Sequence, residues 1–221
     1  QPDQTSMQSH VIKAIVKREL GSYFSSLTGY VFITIFVFLS AVAAFWLPGF
    51  FDRNLANLDQ LNTWFPTLLL FLVPAITMGA WAEERRSGTD ELLLTLPARD
   101  RELVIGKYLA AVSIYTVSLL FSLSHLAVLW YLGRPDLGVV ASTYLGYFLA
   151  GSALIAVGLV GSAVTGNLTL AFIVSALLCG GVLALGSAGS LLPGTIVERI
   201  ASSVSFQERF EDFGRGVITL E

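Results

Sequence analysis

The 221 residues are 54% hydrophobic and 13% charged, with a net charge of −3 and one cysteine, Cys179, and the mean hydropathy is +0.72. Soluble domains carry about 25% charged residues, so this composition excludes a soluble globular domain and a disordered chain. A lone cysteine excludes an intrachain disulfide or a cysteine metal cluster, and the negative balance gives no support to a nucleic-acid surface.

The remaining charge is clumped. Four runs without Asp, Glu, Lys or Arg, of 32, 23, 26 and 61 residues, cover 142 of the 221 positions. A bilayer core takes about 20 apolar helical residues to cross. The chain therefore reads as an all-α polytopic membrane bundle, a single transmembrane domain over 1–221.

In chain order, the first element is a helix over about 9–27. Val11, Ile12, Ile15, Val16, Leu20, Tyr23, Phe24 and Leu27 recur at helical spacing, with Lys13, Lys17 and Arg18 on the other side. Cations opposite an apolar stripe suit the membrane surface. The first apolar run is too long for a signal peptide and reads as a retained span over 28–47. Pro48-Gly49 ends it, and a short polar loop leads to a second span over 64–82, with a kink predicted near Pro74. Trp46 and Trp64 flank that loop, as aromatic rings at the interface do.

Residues 83–107 form the dense polar segment, with 11 charges in 25 residues. Spans follow over 108–132, 140–164 and 168–188, joined by the turns at 133–136 and 165–167. Gly158, Ser162 and Gly166 are spaced by four, as are Ala176, Gly180 and Ala184, which lets helices pack closely in lipid. Short amphipathic helices are predicted over 193–213. The segment before span one holds 3 Lys/Arg and the 83–107 loop holds 5, against 1 in the 48–63 loop. The positive-inside rule then puts the N-terminus and the 83–107 loop in the cytoplasm.

Candidate chemistry is sparse. Within the spans His125 is the one ionisable candidate apart from tyrosine and cysteine, and a lone His there suits helix packing. A proton- or sodium-driven carrier usually places a carboxylate near the midplane, and none is present, although backbone ligands on broken helices could substitute. Neither His10 nor His125 has metalloprotease spacing. Glu83-Glu84 lacks the Arg that intramembrane prenyl-protein proteases would place at Gly88. Gly106-Lys107 lacks the first glycine and the Ser/Thr of a P-loop. A transporter of this kind needs energy from a partner. Within the polar loop, Asp90 to Leu96 reads as a short helix closed by Pro97, with Leu92, Leu93 and Leu94 adjacent. Such a patch fits either a partner's groove or the chain's own bundle.

At this loop the sequence Glu84-Arg85-Arg86-Ser87-Gly88-Thr89-Asp90-Glu91-Leu92-Leu93-Leu94-Thr95-Leu96-Pro97, followed by Gly106-Lys107-Tyr108, resembles the ABC-2 type permeases, the membrane subunits of ATP-binding-cassette transporters. The likeness is nearest to the gliding-motility-associated (GldF-like) subgroup. It extends to IKAIVKRELGSYFSSLTGYVF before span one and to FQERFEDFGRGVITL near the end.

The resemblance implies a type V exporter-like fold of six spans. Five lie in this chain, and a sixth is expected after residue 221. It implies a connecting helix at 9–27, extracytoplasmic short helices at 193–213, and a coupling helix at 89–97 docked on a separate ATPase subunit. Thr89, Asp90, Glu91, Leu92, Leu93, Leu94, Thr95 and Leu96 would make that contact. Glu83, Glu84, Arg85 and Arg86 would flank it, in salt bridges to the ATPase or to the connecting helix. The implied function is the permease of an exporter in a bacterial inner membrane. It would hold no cofactor of its own, and ATP and Mg would sit in the partner. A second permease copy or paralogue and an extracytoplasmic accessory subunit are further implied partners. The competing readings are a secondary carrier and a non-transporting scaffold or anchor of a larger assembly.

Overall fold

A computed structural model of the chain describes residues 4–46, 58–89, 99–133 and 135–191, and these are helical apart from short turns. The connecting helix is α1 (Gln4–Ser25) and the first span is α2 (Leu27–Ala41), which ends in a π-helical turn, Val42–Trp46. The second span is α3 (Asp59–Thr77) continued by α4 (Gly79–Ser87). The third is α5 (Asp100–Ser122) continued by α6 (Ser124–Leu132). The last two are α7 (Leu137–Ala163) and α8 (Leu168–Leu191). Five helical stretches are long and apolar enough to cross a membrane: Leu27–Trp46, Asp59–Ser87, Asp100–Leu132, Leu137–Ala163 and Leu168–Leu185.

The helix starts follow local chemistry. Asp136 Oδ1 accepts from the Gly138 N–H at 2.8 Å and caps α7, and Asn167 Oδ1 accepts from the Thr169 N–H at 2.9 Å and caps α8. These side chains satisfy amide donors that a helix leaves open. The corner between α1 and α2 is tight at Gly29. A Cβ there would stand 2.8 Å from the Tyr23 carbonyl oxygen, so a side chain would push the corner open.

The core is an aromatic stack within the bundle. Tyr147 lies on Phe65 at 3.7 Å, and Phe36 meets both Phe65 and Tyr115 edge-on. The Tyr115 hydroxyl donates to the Tyr147 carbonyl at 2.5 Å, and the Tyr147 hydroxyl donates to Asn62 Oδ1 at 2.5 Å. Outward, Phe38, Phe71, Phe121, Trp130 and Leu177 are well exposed. An apolar belt of that size is costly in water and normal in lipid. His125 is buried, with Nε2 3.0 Å from Ser40 Oγ and its ring edge-on to Phe45 at 5.7 Å. It is a hydrogen-bonded packing residue.

Three boundaries around the polar segment and the first loop differ from the pattern read in the sequence. The second span starts at Asp59 and continues helical to Ser87 rather than stopping at Ala82, and the third starts at Asp100 rather than Tyr108. The charged residues at both ends of the polar segment thus extend the helices. The reason is local: Glu and Arg are good helix formers whether or not the helix is in lipid. The sequence predicts a kink near Pro74; the helix has a one-residue break one turn later, at Met78. Ser162 of α7 sits in the gap. Its Oγ accepts from the amides of Trp81 and Ala82 at 3.1 and 3.3 Å and donates to the Met78 carbonyl at 2.8 Å. A side chain inserted into the helical ladder bends it.

The short helix predicted over Asp90 to Leu96, the helices at 193–213 and the 48–57 part of the first loop lie outside the described residues.

Candidate functional site

The chain's buried charges gather where the polar segment leaves the bundle. Lys107 is on the second turn of α5, in register with the apolar residues Leu103, Ala110 and Ile114. Its side chain is 1% exposed. The ammonium donates to the Ala80 carbonyl at 2.6 Å and to Glu19 Oε1 at 3.3 Å, and it pairs with Glu84 Oε1 at 2.9 Å. It also lies over the Trp81 ring, 4.9 Å from its centre, where the ring's negative face favours a cation. Two hydrogen bonds, two carboxylates and a ring face thus surround the ammonium group.

Arg18 closes the cluster from the outside. One guanidinium nitrogen bridges Glu19 at 2.5 Å and Glu84 at 2.8 Å. Burial lowers the Arg18 pKa, but hydrogen bonds and charge from Glu19 and Glu84 together more than reverse this, and it stands above its ordinary value. Two cations and two carboxylates give a neutral cluster, which is what makes burial tolerable. The cluster ties three elements together: α1 through Arg18 and Glu19, α4 through Glu84 and Ala80, and α5 through Lys107.

Packing holds α1 in place for this. A Cβ on Gly106 would stand 2.5 Å from Ile15 Cγ2, so the two helices touch backbone to side chain. Tyr23, one turn after Glu19, donates to the Ile76 carbonyl at 2.8 Å. Burial pushes its phenol pKa well up, and the Glu19 charge adds to that, so it remains a donor.

On its other side α4 is held by α7. Gly158 faces Thr77, Ser162 bonds to Trp81 and Ala82, and Gly166 lies on the Arg85 Cβ. The row of small residues read in the sequence is therefore the seam along which α7 follows α3 and α4 across their break.

The predicted contact residues fall as follows. Glu83, Arg85 and Arg86 are exposed on α4, and Glu84 is mostly buried in the cluster. Gly88 has φ +69° and closes α4: its amide bonds to the Arg85 carbonyl, and the Thr89 amide bonds to the Glu84 carbonyl. This is the glycine-closed helix end expected where a left-handed residue is needed. Gly88 and Thr89 thus terminate α4. Asp90, Glu91, Leu92, Leu93, Leu94, Thr95 and Leu96 lie outside the described residues. At the far end of the loop the Glu102 carboxylate accepts from the Arg99 amide at 3.0 Å and starts α5.

Sequence reasoning expected salt bridges from Glu84 to the ATPase or to the connecting helix but named no partner residue; Arg18 of α1 is one, and Glu19 and Lys107 were not singled out. A signal was present. Glu19 continues the Val11–Ile15 stripe at intervals of four, and Lys107 continues Leu103 in the same way. A charge in an apolar register asks for a buried partner.

The fold and the cluster define a class: a multi-pass, all-helical membrane protein whose buried charge sits at one end of its bundle. Residues 60–198 match the family described as ABC-2 family transporter protein, and the chain belongs to that family. No curated protein and no solved structure matches it. The chain is thus a membrane permease component of an ATP-binding-cassette transporter, a transport component rather than a catalytic one. The family implies an ABC ATPase partner and a lipid bilayer.

Proposed function

We propose that this chain is the permease subunit of an ATP-driven exporter, coupled to a separate ATPase through residues 89–96. One observation carries the reading. The two longest spans, of 29 and 33 residues, flank the 88–99 loop. At 1.5 Å per residue they measure ~44 and ~50 Å, against a core of about 30 Å. The surplus charge lies at the loop end: Glu83, Glu84, Arg85 and Arg86 on α4, and Asp100 to Lys107 on α5. The ends of α4 and α5 would form a two-helix stalk beyond the apolar layer, a setting that suits contact with a soluble subunit.

The charge cluster supplies the link inward. A push on the loop reaches Glu84 and Lys107 directly. Their ion pairs pass it to α1, and Ser162 passes it to α7. ATP and Mg would be bound by the partner, whose closure would drive that push. The path would be formed with a second permease copy or paralogue. The apolar runs offer no Asp, Glu, Lys or Arg to hold a charged solute, which suits an amphipathic or lipid-linked cargo. The Lys/Arg bias supports a bacterial inner membrane with the N-terminus and the stalk in the cytoplasm. The loop motif resembles that of the gliding-motility-associated subgroup, and an extracytoplasmic accessory subunit would fit that setting.

The test is co-purification of the tagged chain from its native membrane. An ATPase of about 25–35 kDa, the size of one to two domains, should accompany it in stoichiometric amount. Recovery of the intact chain without such a subunit would remove the exporter reading and favour a carrier or a scaffold.

A further inference from the structure

The cluster uses one face of α1, and a second face remains. Val11, Ile15 and Glu19 point into the bundle. Ile12, Val16, Leu20 and Phe24 recur at intervals of four on the adjoining side and are partly exposed. Next around the helix come Lys13 and Lys17, both exposed. They are four residues apart, so their Cβ atoms are about 6 Å from each other. Arg18, on the opposite flank, is paired with Glu19 and Glu84. Among the described residues Lys13 and Lys17 have no carboxylate partner.

The depth of α1 follows from its neighbours. Beside the Ile15–Gly106 contact, α5 exposes Val104, Ile105 and Leu109 at 49%, 43% and 40%. At the α1–α2 corner Leu27 is 77% exposed and Tyr30 is 54% exposed, with the Tyr30 ring edge-on to Phe24 at 5.8 Å. Open apolar side chains at the level of α1 put this helix at the boundary of the apolar layer. Lysines there extend their stems along the layer and carry their charge to the headgroups.

We infer that Lys13 and Lys17 bind the phosphate of anionic phospholipids at the α1–α2 corner, with Ile12, Val16, Leu20 and Phe24 against the acyl chains. Two unpaired ammonium groups on successive turns attract a net negative headgroup. A zwitterionic headgroup brings its own cation and gains less. Because Glu19 and Arg18 tie α1 to α4 and α5, a headgroup held here anchors the base of the stalk to one leaflet. This inference rests on the membrane-spanning reading and is independent of the ATPase partnership.

The test uses the full chain in nanodiscs of mixed phosphatidylglycerol and phosphatidylcholine, with retained lipid counted by native mass spectrometry after extraction into mild detergent. The wild type should retain phosphatidylglycerol in preference to phosphatidylcholine. Each lysine near an anionic surface is worth about fivefold, so K13Q/K17Q should lose most of that preference and K13R/K17R should keep it. Glutamine is a good helix former at exposed sites, and unchanged helical circular dichroism would establish that the variant folds. The wild-type preference should fall at high salt and survive an excess of inorganic phosphate. Equal retention by K13Q/K17Q, or displacement by inorganic phosphate alone, would overturn the inference.

Discussion

Lys107 and Arg18 carry the same charge into the same cluster but sit at different depths, and this separates their effects. The Lys107 side chain is enclosed, and the Arg18 side chain is 49% exposed. Lys107→Met would remove the enclosed cation and leave Glu19 and Glu84 with Arg18 alone, on the exposed side of the cluster. Removing one partner of a buried pair costs about 3 kcal/mol or more. Arg18→Gln removes a half-solvated partner, and such pairs are worth less than about 1 kcal/mol. Thermal unfolding of the two variants in one detergent should therefore show a large drop in midpoint for Lys107→Met and a small one for Arg18→Gln. Equal drops would mean that the cluster is solvated. At this scale the sequence displayed the misfits, Glu19 and Lys107 in apolar registers. It could not pair them, because 88 residues separate them and two helices must first pack at Ile15 and Gly106.

The element that matters most is α4, held on one side by the charge cluster and on the other by α7. Ser162→Ala would leave the Trp81 and Ala82 amides without their acceptor. A buried donor left unpaired costs about 1–3 kcal/mol. Faster amide hydrogen exchange in a peptide spanning 79–87, with little change in α5, would show the loss to be local. The α1–α5 contact has its own check. A Cβ on Gly106 would stand 2.8 Å from the Ile15 Cβ, and a disulfide brings Cβ atoms to about 3.8 Å. I15C/G106C should cross-link under mild oxidant, with Cys179 buried and apart from it. Failure to cross-link would place α1 elsewhere.

Element boundaries were legible where the chemistry changes type, as at Asp136 and at Asn167. They were blurred where a helix leaves the lipid without ending, since Glu83 to Ser87 and Asp100 to Lys107 looked like loop by charge alone. The break at Met78 had half a signal in Pro74. The other half, Ser162, is 84 residues away from Met78 in sequence.

For the whole molecule, the distribution of charge said more than its amount. The five spans, their order and the family were readable from apolar runs and the loop motif, because a bilayer imposes a length on every helix that crosses it. The residues that complete the tie between connecting helix and stalk, Arg18, Glu19 and Lys107, were not, because they depend on which helix faces pack. Together these features describe a membrane component with its buried charge at one end of the bundle and long apolar runs free of Asp, Glu, Lys and Arg. In this account, force enters at the 88–99 loop from a separate ATPase. The most direct measurement is ATP hydrolysis by the complex reconstituted with its ATPase, comparing the wild type with L92D/L93D. The account predicts that the double variant inserts normally but loses both ATPase recovery and stimulated turnover, by tenfold or more if about 1.4 kcal/mol of docking energy is removed. Unchanged assembly and unchanged turnover would contradict it.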